Sequence, residues 1–185
     1  MSVTAPPVTL QTARLLLRPI RDSDIDAFAA MHADPLVVAH LHPPLGRAES
    51  EMVLDRIRAN TARDGVGPFA VELPGAVPFI GLVGLARPRF DVPLIPCVEI
   101  AWRLASAHWG RGYAPEAARA CLDFGFRHLE LPEILAWTSR DNRASQRVME
   151  KLGMVRDPDA DFDHPKLPLG DRLRRHLVWR LTRPA

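Results

Sequence analysis

Between an apolar segment and a helical one lies Trp109-Gly-Arg-Gly-Tyr-Ala114, whose residue types could hold an anion. A helix start presents unpaired backbone N–H groups and the positive end of the helix dipole. Gly110 and Gly112 carry no Cβ to keep a phosphate off the backbone. Arg111 can add a charge-assisted bond. The same residues would serve a tight strand-to-helix turn, and the sequence alone leaves both readings open. Two other phosphate loops are excluded. A Walker loop needs a lysine after its glycines, and none follows. A dinucleotide fingerprint needs a third small residue where Pro115 stands.

Other residues carry weaker signals. Glu99 interrupts the apolar run Val98-Glu-Ile-Ala-Trp102. A carboxylate there is costly unless it faces water or a partner such as Arg103. Asp141 or Asn142 suits a helix N-cap. Asp157, Asp159, Asp161 and Asp163 have calcium-loop spacing, but Phe162 replaces the required glycine and Pro168 the final glutamate. The spacing predicts a solvated turn, with a weak pull towards a cationic acceptor. His40, His42 and His164 lack supporting carboxylates or cysteines, so no metal is expected. No G-x-S-x-G nucleophile elbow occurs. Cys97 and Cys121 are too few for a disulfide framework and too far apart for a C-x-x-C site. Arg172-Leu-Arg-Arg175 reads as strand-edge charge.

These residues need elements to position them. Arg14–Arg18 reads as a strand ended by Pro19. Ser23 with Asp26 has the pattern of a capping box, opening a helix that buries Ile25, Phe28, Ala29 and Met31 or His32 before Pro35. Met52, Val53, Ile57 and Ala59 or Asn60 mark a helix over 49–63, closed by Gly65. Three strands follow, at 69–72, 79–86 and 97–104, with Gly81 and Gly84 thinning one face. Residues 114–128 and 142–152 read as helices, the latter ended by Gly153. Residues 134–138 and 177–181 read as strands. Consecutive strands with short turns imply an antiparallel meander, and strand–helix–strand over 97–138 a parallel crossover. The fold class is therefore α/β (α+β), with a mixed sheet.

Length and composition agree. A chain of 185 residues, 47% hydrophobic and 25% charged, suits one globular domain. It buries roughly 70% of its unfolded surface without staples. No apolar run approaches the ~18 residues of a membrane span, and Met1–Arg14 shows no signal-peptide pattern. A cytoplasmic location follows as an expectation. Net charge is +2, with 24 Lys+Arg mixed among 22 Asp+Glu, so no nucleic-acid footprint is visible. The 18 prolines cluster between elements, as at Pro6-Pro7 and Pro43-Pro44.

Four blocks in order resemble the GNAT N-acetyltransferase superfamily, specifically its RimJ/RimL-like branch of ribosomal-protein N-terminal acetyltransferases. They are Thr12-Ala-Arg-Leu-Leu-Leu-Arg18 with Asp24, Glu99-Ile-Ala-Trp-Arg-Leu104, Trp109-Gly-Arg-Gly-Tyr-Ala-Pro-Glu-Ala117, and Asn142-Arg-Ala-Ser145 with Lys151-Leu-Gly-Met154. The resemblance spans about residues 10–181 of a single domain, 1–185. It implies a mostly antiparallel sheet of about seven strands, splayed between the fourth and fifth and flanked by helices. Acetyl-CoA would lie in that splay as cosubstrate. Gly110, Arg111, Gly112, Tyr113 and Ala114 would meet its pyrophosphate. Trp109 stands at the family's Gln/Arg position, so it belongs to the loop without a phosphate role for its side chain. The backbone of Trp102, Arg103 and Leu104 would pair with the pantetheine arm, as an added strand does. Asn142 and Ser145 would hydrogen-bond near the thioester.

The implied reaction is attack of a neutral amine on a thioester, which needs a proton acceptor and an oxyanion donor. Glu99 matches the family's strand-four glutamate and is the candidate base. The family's usual acid is a tyrosine at the position of Met149, so Ser145 is the candidate donor in its place. Tyr113 is expected to pack on the loop. The acceptor is an amine, of a protein N-terminus or a small molecule. A non-catalytic acyl-CoA-binding or sensing module is the alternative that the missing tyrosine keeps open. A homodimer is compatible with either.

Overall fold

A computed structural model of the chain describes residues 8–41 and 44–184. Residues 1–7, which include Pro6 and Pro7, lie outside them, as do His42, Pro43 and Ala185. The strands are β1 (Leu10–Gln11), β2 (Leu16–Arg18), β3 (Pro68–Leu73), β4 (Val77–Ala86), β5 (Glu99–Leu104), β6 (Glu133–Ser139), β7 (Val155–Asp163) and β8 (Arg175–Thr182). The helices are α1 (Ile25–Ala33), α2 (Pro35–Val38), α3 (Arg47–Asp64), α4 (Tyr113–Arg127) and α5 (Arg143–Lys151). One sheet runs in the order β1-β2-β3-β4-β5-β6-β8-β7. Every pairing is antiparallel except β5–β6, which the α4 crossover makes parallel. The expected mixed, mostly antiparallel sheet is therefore observed.

Eight strands are present among the described residues, near the seven implied by the resemblance and two more than the six segments read as strands. One addition is the two-residue β1. The other is β7, which replaces the expected solvated turn. Three of its aspartates pair with arginines, Asp161 with Arg156 of the same strand, Asp157 with Arg180 and Asp163 with Arg175, while Asp159 is exposed. Asp161 also accepts from the Val178 N–H at 3.0 Å. Phe162 then buries beside Val92 and Val178. The arginine run straddles the β7–β8 connection. Arg174 meets Asp163, Arg172 donates to the Ala39 carbonyl, and only Arg175 enters the strand.

Other local expectations shift for clear reasons. The box at the start of α1 uses Asp24, not Asp26: its carboxylate accepts from the Arg21 N–H at 2.8 Å. Asp24 is held there by Arg18, whose Nη2 lies 2.7 Å away. Arg18 also meets Glu72 at 2.8 Å and donates to the Pro19 and Pro78 carbonyls. This cation is 2% exposed, and its bonds offset the desolvation that burial imposes. In α3, Ser50 and Leu54 are buried while Met52 points outward. The helix docks on α1 through Leu54, flanked by Val53 and Ile57 of the expected stripe, and Met52 lies outside that contact.

Apolar packing lies on both faces of the sheet. α4 and α5 cover one face, where Ala118, Cys121 and Leu122 meet Ile80, Val83 and Ile100. α1, α2 and α3 cover part of the other, where Phe28, Val37 and Leu54 meet Phe79 and Leu82. Gly81 reconciles the two sides. Ile80 and Val83 face the same cluster although three residues apart, which breaks the two-residue alternation of a strand. Gly81 has φ +147°, and a Cβ there would stand 2.1 Å from the Arg103 carbonyl oxygen.

The feature that opens a site is the β5–β6 seam. One residue pair, Glu99 with Leu135, joins the two strands. Beyond it they part, at the junction of the fourth and fifth strands expected from the sequence.

Candidate functional site

Backbone groups alternate in direction along a strand. The Val98 carbonyl accepts from Leu135 in β6, and the Ala105 N–H donates to Ile80 in β4. Even-numbered residues of β5 therefore turn their backbone groups to the open seam. Trp102 and Leu104 face the gap, while the backbone of Arg103 turns to β4. The Leu104 carbonyl is taken by the Trp109 indole N–H at 2.7 Å. This bond ties the following loop to the edge of the gap and is the role the structure gives Trp109.

The loop itself is built for an anion. Gly110 and Gly112 have φ of +73° and +81°, values that disfavour a side chain. Gly112 is the N-cap of α4 and offers no side-chain cap. Among the described residues, no group accepts a bond from the N–H groups of Gly110 to Ala114. Pro115 has no N–H to leave unpaired. The guanidinium of Arg111 makes no ion pair among the described residues, so a free cation stands beside these free donors.

Sequence reasoning missed what braces this loop. Thr12 donates to the Glu116 carboxylate at 2.7 Å, and Arg14 pairs with the same carboxylate at 2.6 Å. The second amino group of Arg14 donates to the Arg111 carbonyl at 3.0 Å. Its guanidinium covers the Tyr113 ring at 4.7 Å. Tyr113 thus packs on the loop, as expected. The signal was present in the Thr12–Arg18 block, but no sequence rule connects it to residue 111.

Across the gap, three side chains converge. The Trp102 indole N–H donates to Ser145 Oγ at 3.2 Å, and Asn142 Nδ2 donates to the same oxygen at 3.3 Å. Asn142 Oδ1 accepts from the Ser145 N–H at 3.1 Å, so Asn142 is also the N-cap of α5. Ser145 Oγ accepts two bonds, and its own O–H has no acceptor among the described residues. Met149, one turn further, is 1% exposed and belongs to the core.

Glu99 occupies the opposite face. It is half-buried, and its carboxyl forms no hydrogen bond or ion pair with a described residue. Burial alone pushes it up to about 8. The expected partner Arg103 points elsewhere, to Nε2 of His32 in α1. His32 Nδ1 lies 2.9 Å from the Phe28 carbonyl, which can only accept. Nδ1 therefore carries the proton, and Nε2 accepts from Arg103. Burial, reinforced by the Arg103 charge, lowers His32 to about 4, so the ring is neutral. Neither cysteine is reactive: burial raises Cys97 to about 11 and Cys121 to about 12. Among the described residues, no three His, Cys, Asp or Glu side chains gather to hold a metal. No helix there is long and apolar enough to cross a membrane.

Comparison with known proteins bears on this geometry. Residues 14–155 match the family model described as an acetyltransferase (GNAT) domain. The uncharacterized protein YkkB of Bacillus subtilis strain 168 is 32% identical over 146 residues, 78% of this chain and 84% of YkkB. A crystal structure of an acetyltransferase from Agrobacterium tumefaciens C58 superposes with a TM-score of 0.75. It is 31% identical and covers 98% of both chains. RimL, a ribosomal L7/L12 α-N-protein acetyltransferase in complex with coenzyme A, shares the fold at a TM-score of 0.76. It is 14% identical and covers 95% of this chain and 98% of its own.

Proposed function

The chain belongs to the GNAT acetyltransferase family, and from that premise we propose that it moves the acetyl group of acetyl-CoA to a primary amine by direct attack on the thioester. The acceptor is a protein N-terminus or a small molecule. The whole chain, with its core at about 10–181, acts as one catalytic unit. The observation that carries the reading is the single-pair seam between β5 and β6, with free loop amides on one side and Glu99 on the other.

The cosubstrate's pyrophosphate binds the N–H groups of residues 110–114, with Arg111 adding charge. The pantetheine arm pairs with the backbone of Trp102 and Leu104 as an added strand. Asn142 and Ser145 meet the arm near the sulfur. Arg103 contributes its side chain to the acceptor face.

A primary amine is mostly protonated at neutral pH. The neutral fraction of the amine attacks the thioester carbon, and Glu99, directly or through one water, takes the proton that the bonded nitrogen then sheds. A group titrating near 8 is matched to that task. The carbonyl π electrons move to oxygen, and a gap-facing N–H of β5 stabilises the oxyanion. As the intermediate collapses, the C–S bond breaks and the electron pair leaves on sulfur. The Ser145 O–H, which no described residue occupies, hydrogen-bonds to that thiolate, which takes its proton from water once released. Glu99 and Ser145 lie on opposite faces of β5, so amine and thiol occupy opposite sides of the reacting carbon.

The test is calorimetry with CoA, followed by thiol release from acetyl-CoA over a panel of primary amines. The expected result is binding together with amine-dependent thiol release. Absence of heat with CoA, or of turnover with every amine, overturns the reading.

A further inference from the structure

On the face opposite α4 and α5, β5 presents Glu99, Ala101 and Arg103 in alternation. Ala101 is exposed, although its strand lies in the interior of the sheet. The face between the two charged residues is therefore open. Four residues of strand separate their Cα atoms by roughly 13 Å.

Arg103 is in an unusual state. It is half-buried, and burial lowers it to about 10. No carboxylate lies within ion-pair reach of it among the described residues. Its one partner is neutral His32, so four of the five guanidinium N–H donors have no described acceptor. Arg18 shows the contrast: the same residue type, buried in the same sheet, is matched by two carboxylates. A desolvated cation without a counter-ion raises the free energy of the empty site and favours an arriving anion.

The nearby acids do not compensate it. Asp34 accepts from Ser106 Oγ and from the Leu36 N–H. In β7, whose aspartates leaned in sequence towards a cationic acceptor, Asp157 pairs with Arg180, Asp161 with Arg156, and Asp163 with Arg174 and Arg175, while Asp159 is exposed. None of these carboxylates is a counter-ion of Arg103, whose charge is left to an arriving anion.

The geometry points to an acceptor that carries a carboxylate several bonds from its amine, with Arg103 binding the carboxylate while the amine reacts at Glu99. This rests on the acetyltransferase reading and narrows its acceptor. His32 is the positioning residue: its bond to the Phe28 carbonyl fixes the tautomer that holds the guanidinium. The fork leaves two parallel N–H groups for a bidentate carboxylate.

The test is thiol release with ω-amino acids from glycine to 6-aminohexanoate, each compared with the n-alkylamine lacking the carboxylate. The expected kcat/KM for 6-aminohexanoate exceeds that for hexylamine at least tenfold, mainly through KM. The advantage grows with chain length, and Arg103→Met reduces it to about one. Arg103→Lys retains part of it, which separates charge from folding. Equal use of hexylamine and 6-aminohexanoate by the wild type overturns the proposal and leaves the transferase reading intact. So does a preference that survives Arg103→Met, or CoA binding without turnover of any carboxylate-bearing amine. Absence of CoA binding overturns the transferase reading itself.

Discussion

Replacing Glu99 by glutamine should make the protein more stable and less active at once. In the unfolded chain this carboxyl titrates near 4.5, and in the fold near 8. Between those values the unfolded chain has released a proton that the folded protein retains, so stability falls as pH rises through that window and levels off above 8. At pH 7 the difference amounts to about 3 kcal/mol at full weight. Water reaches part of the carboxyl, which reduces this to about 2 kcal/mol. Glutamine removes the penalty and should raise Tm by about 4–8 °C at pH 7 for a chain of this length. At pH 4 the gain should vanish.

Activity moves the other way. Roughly a tenth of Glu99 is ionised at pH 7 and most of it at pH 9. General-base assistance is worth about 10²–10⁴-fold when the base is ionised. The variant should therefore fall about 10–10³-fold behind at pH 7 and further behind at pH 9. Below pH 8 both the base and the amine must lose a proton, so log kcat/KM should rise with slope two in the wild type. In Glu99→Gln only the amine titrates, and the slope should be one. Thiol-release rates from pH 6 to 9, with thermal melts at pH 4 and 7, measure both quantities. Equal slopes, or a Tm difference independent of pH, would refute the assignment of Glu99 as a buried base.

Three other expectations follow from particular contacts. Arg14→Ala removes the bond to the Arg111 carbonyl and the pair with Glu116. Calorimetry should show CoA affinity several-fold weaker, while stability drops by no more than about 1 kcal/mol because the pair is largely exposed. Ser145→Ala should lower kcat by about tenfold or more with a smaller change in the acetyl-CoA KM, since the lost group acts on the leaving thiol. Arg18→Met leaves Asp24 and Glu72 without their cation, and urea unfolding should show a loss of about 3–5 kcal/mol.

Much of this molecule was legible along the chain, because short-range rules act there. Apolar period and punctuation marked the helices at 113–127 and 143–151 and the strands at 77–86 and 99–104. Gly110 and Gly112 marked a turn open to close approach by an anion, and four ordered blocks implied a sheet parted beside that loop. Asn142 was recognisable as a cap from its neighbours alone. Residues whose state depends on distant partners were not legible. Asp157 and Asp163 looked solvated until Arg180 and Arg175 of β8 came opposite them. Arg14 gained its task only when the β1–β2 connection was laid beside α4, bringing residue 14 to the carbonyl of residue 111. Glu99 and Arg103, a possible ion pair on paper, are held roughly 13 Å apart by the extended strand, and α1 places His32 against the guanidinium. Local sequence sets backbone conformation through sterics and hydrogen bonding within a few residues. Charge state and reactivity are set by desolvation and by the nearest opposite charge, and those are known only once the chain has closed on itself.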